Sequence, residues 1–198
     1  MCSMTWLYDA HIHLSDAEYE HDIPLILNCM KRLCIKACCV SMDYTSSKKT
    51  LELGKQSDFI LPFIGVHPEK AQDGVESTFK LIDENNETIS GIGEIGLDTT
   101  YTNSDEEFQK QEEVFKTQLS YAEKFGKPVS IHSRKTLDQI LEILPSYKVP
   151  SVLLHWFDGS KKQLQQAMDL DCYVSFGPVM VYSKDKQVLL SKANKDKI

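Results

Sequence analysis

The sequence lacks a long apolar run, since no hydrophobic stretch approaches the roughly 18 residues needed to cross a bilayer. Its first residues also lack the basic region followed by an apolar one that is typical of a secretory signal. We therefore expect a protein without a membrane partner, located in the cytoplasm.

Cysteine occurs six times, but never as the C-x-x-C pair that many zinc and redox sites use. Cysteines of this kind are usually reduced and buried in cytosolic proteins, so we expect thiols rather than disulfides or a zinc knot. Four of them crowd into one apolar stretch, and the full set is Cys2, Cys29, Cys34, Cys38, Cys39 and Cys172.

Positive charge is also scarce, with 22 basic against 29 acidic residues and a formal net charge of −7. Taken alone, this argues against a nucleic-acid binder, which usually presents a basic face. Bound divalent ions would nevertheless supply positive charge that the formal count omits.

What the sequence does contain is an alternation of apolar strand-like runs and helical patterns. The best-marked helix starts at a predicted capping box of Ser104 and Glu107 and stops at Gly126. The pattern predicts strands over 6–10, 35–42, 59–66, 88–95, 128–131, 151–154 and 172–176. It predicts helices over 23–33, 48–56, 75–85, 104–125, 137–144, 163–168 and 184–192.

Strands that alternate with helices indicate an α/β fold with a parallel sheet. A doubly wound open sheet and a TIM-type β/α barrel both fit this order. A complete barrel needs about 250 residues, and the chain holds about seven of the eight strand-helix units. We expect one domain over residues 1–198, with the last unit missing and two open sheet edges at the first and seventh strands.

The placement of histidines points to a metal site. His11 and His13 follow the first predicted strand and, two residues apart in extended backbone, can face the same way. Glu94, His132 and His155 lie at the ends of three later strands. Because the carboxyl ends of barrel strands open on one face, these five side chains should converge there.

Mixed imidazole and carboxylate ligands suit zinc, manganese or a similar ion. Five ligands exceed the three that a catalytic zinc usually takes from protein, so two divalent ions that share Glu94 are the expected arrangement. Magnesium is a further possibility, because the sequence does not fix the metal.

Six motifs carry a family resemblance. They are Asp-Ala-His-Ile-His-Leu at 9–14, Gly-Val-His-Pro at 65–68, Gly-Ile-Gly-Glu-Ile-Gly-Leu-Asp at 91–98, Pro-Val-Ser-Ile-His-Ser-Arg at 128–134, His-Trp-Phe-Asp-Gly at 155–159 and Ser-Phe-Gly-Pro at 175–178. With these six motifs in this order, the sequence resembles the TatD family of metal-dependent hydrolases, which are described as deoxyribonucleases.

The resemblance implies a β/α barrel with two divalent metals that hydrolyses phosphodiester bonds. By position, His11 and His13 would hold one metal, His132 and His155 the other, and Glu94 would bridge them. His67 and Arg134 would face the substrate, and Asp98 would orient a ligating histidine. A guanidinium beside a metal ligand suits a phosphate, although a surface salt bridge for Arg134 is an equal alternative.

The sequence departs from the family pattern in two places. Asp158 stands where the family usually has a small residue, and it would repel a phosphate unless it faces a cation or a metal. The aspartate that the family places in a later strand, where it binds a metal and the attacking water, would lie beyond Ile198, so the catalytic base is unknown.

Three functions therefore stay open. The leading one is a deoxyribonuclease with DNA as substrate, with a 3′–5′ exonuclease as one form, in which two metals activate a water. The second is a metal-dependent hydrolase of an ester or amide such as aminoacyl-tRNA, and the third is a metal-binding remnant without turnover. A monomer is one expectation for assembly, but the sequence does not fix the oligomeric state.

Overall fold

A computed structural model describes residues 5–72 and 74–198 and contains one parallel sheet of seven strands. The strands are hydrogen-bonded in chain order, from the first to the seventh. They form a curled half-barrel, which confirms the predicted α/β barrel architecture. The strands are β1 Leu7–Ile12, β2 Ile35–Cys39, β3 Ile60–Ile64, β4 Gly91–Asp98, β5 Val129–Arg134, β6 Val152–Leu154 and β7 Tyr173–Val174.

A helix follows each strand, as the sequence pattern predicts. Short 3₁₀ turns join several of these units. The helices are α1 Ile23–Leu33, α2 Tyr44–Gln56, α3 Val75–Glu84, α4 Asp105–Phe125, α5 Leu137–Ile143, α6 Lys161–Asp169 and α7 Lys184–Leu190.

The predicted capping box at α4 forms only in part. Ser104 Oγ accepts a hydrogen bond from the Glu107 N–H at 3.2 Å. The Glu107 carboxylate, however, accepts from the N–H of Asn103 at 2.6 Å and not from that of Ser104. A full reciprocal box caps α6, through Ser160 and Gln163. Both arrangements satisfy N–H groups that a helix start leaves without a backbone partner.

The main core lies between the sheet and its helices on the side of β4 to β7. Ile92, Ile95, Phe115 and Leu119 are fully buried there. Burying a large apolar side chain of this kind contributes roughly 1.5–3 kcal/mol to stability. A smaller cluster under β1 and β2 completes the packing.

Three strands end later than the sequence indicates. The first of them, β1, continues to Ile12 and therefore includes His11. Glu94 lies in the middle of β4, not at its end, and β5 continues past His132 to Arg134. For β4 and β5 the reason is the pairing between these two strands, which continues to Asp98 opposite Arg134 and adds ladder bonds after an irregularity between Ile92 and Ile95.

The sheet has two edges, because β1 pairs only with β2 and β7 only with β6 among the described residues. The outer edge at β1 is exposed, with Leu7 at 61% and Tyr8 at 63%. Within the described ranges, no helix is both long and apolar enough to cross a membrane.

Among the described residues, the cysteines Cys29, Cys34, Cys38, Cys39 and Cys172 form no disulfide, Cys29 is exposed, and Cys2 lies outside the described residues. Burial raises the pKa of Cys38 to about 11 and that of Cys39 to about 12. These two thiols are therefore protonated near neutral pH and poor nucleophiles.

Candidate metal centre

The candidate centre is built around the carboxylate of Glu94, which is only 3% exposed. Its Oε2 atom lies 3.4 Å from His11 Nε2 and 3.0 Å from His13 Nε2, and its Oε1 atom lies 3.1 Å from His132 Nδ1. Burial would raise the pKa of Glu94, but the three histidine hydrogen bonds hold it well below its usual range. The group is therefore a carboxylate, the form that binds a metal.

The first group of possible ligands comprises His11, His13 and Glu94, whose donor atoms all lie within 4.8 Å of one another. The two imidazole Nε2 atoms face each other at 3.2 Å. His11 Nδ1 lies 2.9 Å from the hydroxyl of Ser130, which can fix the orientation of the ring while Nε2 faces the Glu94 carboxylate. Two imidazole nitrogens and a carboxylate oxygen at such short separations fit a divalent cation between them.

The second group consists of His67, Glu94 and His132. His132 is held from both sides, by Glu94 at Nδ1 and by Asp98 Oδ2 at Nε2, 2.8 Å away. Since a carboxylate can only accept a hydrogen bond, Nε2 carries the hydrogen and donates the hydrogen bond to Asp98. Burial lowers the pKa of His132, but the hydrogen bonds and charges of Glu94 and Asp98 outweigh it and raise the pKa.

His67 differs from the other members of this group. Its Nδ1 accepts a hydrogen bond from the backbone N–H of Glu69 at 3.2 Å, so the ring proton resides on Nε2. Burial lowers the pKa of His67 to about 4, so the ring is neutral near pH 7. The neutral ring can therefore donate a hydrogen bond through its Nε2–H.

His155 reaches the centre in another way. Its ring is stacked on that of His11, with centroids 3.5 Å apart and planes 6° from parallel. Burial and, to a smaller extent, repulsion from His11 lower the pKa of His155 to about 3, so this ring is also neutral near pH 7. It belongs to neither group of ligand atoms, and Ser175 Oγ lies 3.3 Å from its Nδ1.

Arg134 lies at the end of β5, exposed, in the wall of a cavity of about 260 Å³. Lys135, Asp138, Asp158 and Gly159 line the same cavity. Within the described part of the chain Arg134 forms no ion pair, whereas Asp158 is paired with Lys186 of α7. The carboxylate that departs from the family pattern therefore faces a cation.

The structure thus brings all five sequence-predicted ligands, His67 and Asp98 to the mouth of the half-barrel. Sequence reasoning missed the two serines, Ser130 and Ser175, that contact His11 and His155. The available signal was spacing: Ser130 precedes His132 by two positions on β5 and shares its face of the sheet.

Gly96 shows how closely β4 and β5 approach here. Its φ is +147°, and a Cβ atom at this position would lie 2.0 Å from the carbonyl oxygen of His132. Any larger residue would push apart the strands that carry Glu94 and His132.

The chain is similar to several known proteins. A family model described as TatD related DNase matches residues 8–198. An uncharacterized metal-dependent hydrolase of Bacillus subtilis, YabD, is 30% identical over 91% of this chain and 72% of its own length. Human deoxyribonuclease TATDN3 is 26% identical over 94% of this chain and 73% of its own length.

Solved structures with this fold include YJJV, a TatD homologue from Escherichia coli. Its TM-score is 0.86 at 21% identity, over 96% of this chain and 76% of the other. A TatD family hydrolase from Entamoeba histolytica has a TM-score of 0.81 at 21% identity, over 98% of this chain and 73% of the other.

Proposed function

From the premise that the chain belongs to the TatD related DNase family of metal-dependent hydrolases, we propose that it hydrolyses phosphodiester bonds in DNA. The single observation that carries this proposal is the convergence of His11, His13 and His132 on the buried carboxylate of Glu94. The names of relatives such as human deoxyribonuclease TATDN3 support DNA as the substrate class.

In this proposal His11, His13 and Glu94 hold one divalent ion. Glu94 and His132 hold a second, and His155, which stacks on His11 and lies outside both groups of close ligand atoms, is its proposed third ligand. Divalent ions at such a centre polarise a phosphoryl oxygen and lower the pKa of a water molecule, which makes a nucleophile near neutral pH. Zinc, manganese and magnesium are the candidates, since a mixed set of imidazoles and one carboxylate does not select among them.

The protein's own side chains would hold the substrate. Arg134 has no ion-pair partner among the described residues and presents a guanidinium suited to grip a phosphate with two hydrogen bonds. His67 would donate its Nε2 proton in a hydrogen bond to a substrate oxygen, because its Nδ1 is already occupied by the Glu69 N–H. Asp98 would keep the ring of His132 oriented through Nε2.

The decisive experiment measures cleavage of end-labelled single-stranded DNA by the purified protein, with added Zn²⁺, Mn²⁺ or Mg²⁺ and with EDTA. Labels at the 3′ and 5′ ends distinguish a 3′–5′ exonuclease from other modes. We expect metal-dependent cleavage that falls at least about a hundredfold in Glu94→Gln, since neutralising the shared ligand weakens the whole centre. The matched control is Glu106→Gln, an exposed acid in the first turn of α4.

Parallel assays on aminoacyl-tRNA and small esters separate the competing functions. Faster metal-dependent turnover of these substrates than of DNA would replace the nuclease proposal with an ester hydrolase. Bound metal without turnover of any substrate would instead support a metal-binding protein. The cytoplasmic location and the single-domain organisation over residues 1–198 stay predictions from the sequence.

A further inference from the structure

Trp156 is a large apolar side chain left 59% exposed at the mouth of the half-barrel. It directly follows His155, and the two rings lie 5.5 Å apart with planes 24° from parallel. Since His155 itself is stacked on His11, three nearly parallel rings lead from the surface to the group around Glu94.

The backbone of Trp156 is held in an unfavourable conformation. Its φ of +45° lies in the left-handed region, where a bulky side chain is a real outlier. Three hydrogen bonds fix it there: His155 N–H to the Ile131 carbonyl, Trp156 N–H to Ser175 Oγ, and Phe157 N–H to the Ser175 carbonyl. Such over-determined strain concentrates at functional sites.

The indole ring of Trp156 also packs directly against Gly177. A Cβ atom at Gly177 would lie 2.9 Å from Cε2 of Trp156, closer than such atoms ever approach. The chain therefore holds the ring in a defined place while most of its surface stays open to solvent. The indole N–H forms no hydrogen bond with any described residue, which leaves a donor free at the edge of the ring.

We propose that Trp156 is a stacking platform for a nucleobase of the substrate, positioned beside the metal centre. This inference rests on the proposed function, because the base that stacks on Trp156 is taken to lie next to the phosphate that the proposed nuclease cleaves. A nucleotide offers two groups that these side chains can bind: a flat base for the indole of Trp156, and a phosphate for the guanidinium of Arg134, which lies two residues after His132 on β5.

The charge of the chain favours stacking as the source of affinity. With a formal net charge of −7, it has little capacity to bind a long row of phosphates. Base stacking on an aromatic ring tolerates any sequence and requires a base that is not paired within a duplex. The platform therefore selects unpaired bases, as in single strands or frayed ends.

Tryptophan fluorescence tests this directly, since the chain has only two tryptophans. Trp6 is stacked on Phe59, with ring centroids 5.3 Å apart, just before β1 and away from the mouth. In a Trp6→Phe variant all tryptophan emission therefore comes from Trp156. We expect a short oligothymidylate in EDTA to quench this emission, and an abasic oligonucleotide of equal length to leave it nearly unchanged.

Binding and kinetics of Trp156 variants supply the second measurement. Trp156→Ala should weaken binding of labelled oligothymidylate and raise KM about tenfold with kcat largely kept, as loss of one stacked base implies. Trp156→Phe should retain most of the affinity. Trp156→Gly should lose the same affinity while relieving the backbone strain, so its Tm should not fall.

The outcomes separate this inference from the proposed function. Metal-dependent DNA cleavage with unchanged KM, binding and fluorescence in the Trp156 variants would overturn the platform alone. Quenching by oligothymidylate without hydrolysis of any phosphodiester would overturn the nuclease and keep the platform. Equal quenching by a tyrosine-containing peptide would show that the ring does not select nucleobases.

Discussion

At the scale of single residues, His132 illustrates how the centre is ordered. Glu94 and Asp98 hold its two ring nitrogens, and Asp98 is fully buried. The other oxygen of Asp98 accepts hydrogen bonds from the N–H and hydroxyl of Thr100. Asp98 therefore needs two accepting oxygens, which only a carboxylate provides.

Replacement of Asp98 by asparagine should weaken the centre without removing a proposed ligand. The amide has one accepting oxygen, so either His132 or Thr100 would face an NH₂ group. We expect metal affinity or activity to fall about 10- to 100-fold, the usual effect of losing the partner of a ligating histidine. Metal titration and DNA cleavage measure this, with exposed Asp105→Asn as the control. Unchanged affinity and activity would mean that Asp98 does not orient His132.

At the scale of elements, α4 ties the helical layer to the loops that carry the site. Gln118 is fully buried, and its amide binds both backbone groups of Val66, just after β3. Gln111, also fully buried, accepts from the N–H of Asp98 and donates to the carbonyl of Pro68. These amides position the residues on either side of His67 and the end of β4.

Truncating Gln118 to alanine should destabilise the fold. It leaves the buried N–H and C=O of Val66 without partners, which costs about 2–4 kcal/mol in the free energy of unfolding. Urea denaturation measures this loss. The control is Gln109→Ala on the exposed face of the same helix, expected to change stability by less than about 0.5 kcal/mol. Equal stability of the two variants would show that water replaces the lost amide.

At the scale of the whole molecule, the candidate ligands come from distant parts of the sequence. Glu94 on β4 lies close to His11 within β1, His13 just after β1, and His132 on β5. A bound ion would therefore link elements that are far apart in the sequence. An ion that binds only the folded state stabilises it by mass action.

Metal addition should therefore raise the thermal stability of the chain. At a free metal concentration of about one hundred times the dissociation constant, binding adds about 2.7 kcal/mol to the free energy of unfolding. This corresponds to a Tm rise of about 5–10 °C for a domain of this size. Differential scanning fluorimetry with Zn²⁺ or Mn²⁺, before and after EDTA, measures the shift. Glu94→Gln should abolish most of it. A Tm shift of equal size in that variant would locate the bound metal elsewhere.

The sequence by itself determined the order of strands and helices and the parallel sheet, and it indicated five candidate ligands at one end of that sheet. It could do so because hydrophobic periodicity is local and the carboxyl ends of parallel strands share one face. Only the tertiary structure decided that Glu94 lies within β4, that His67 rather than His155 joins Glu94 and His132, and that Trp156 stays exposed on Gly177. These facts depend on pairing register, ring orientation and close packing between segments remote in sequence, and no local pattern of residues encodes them.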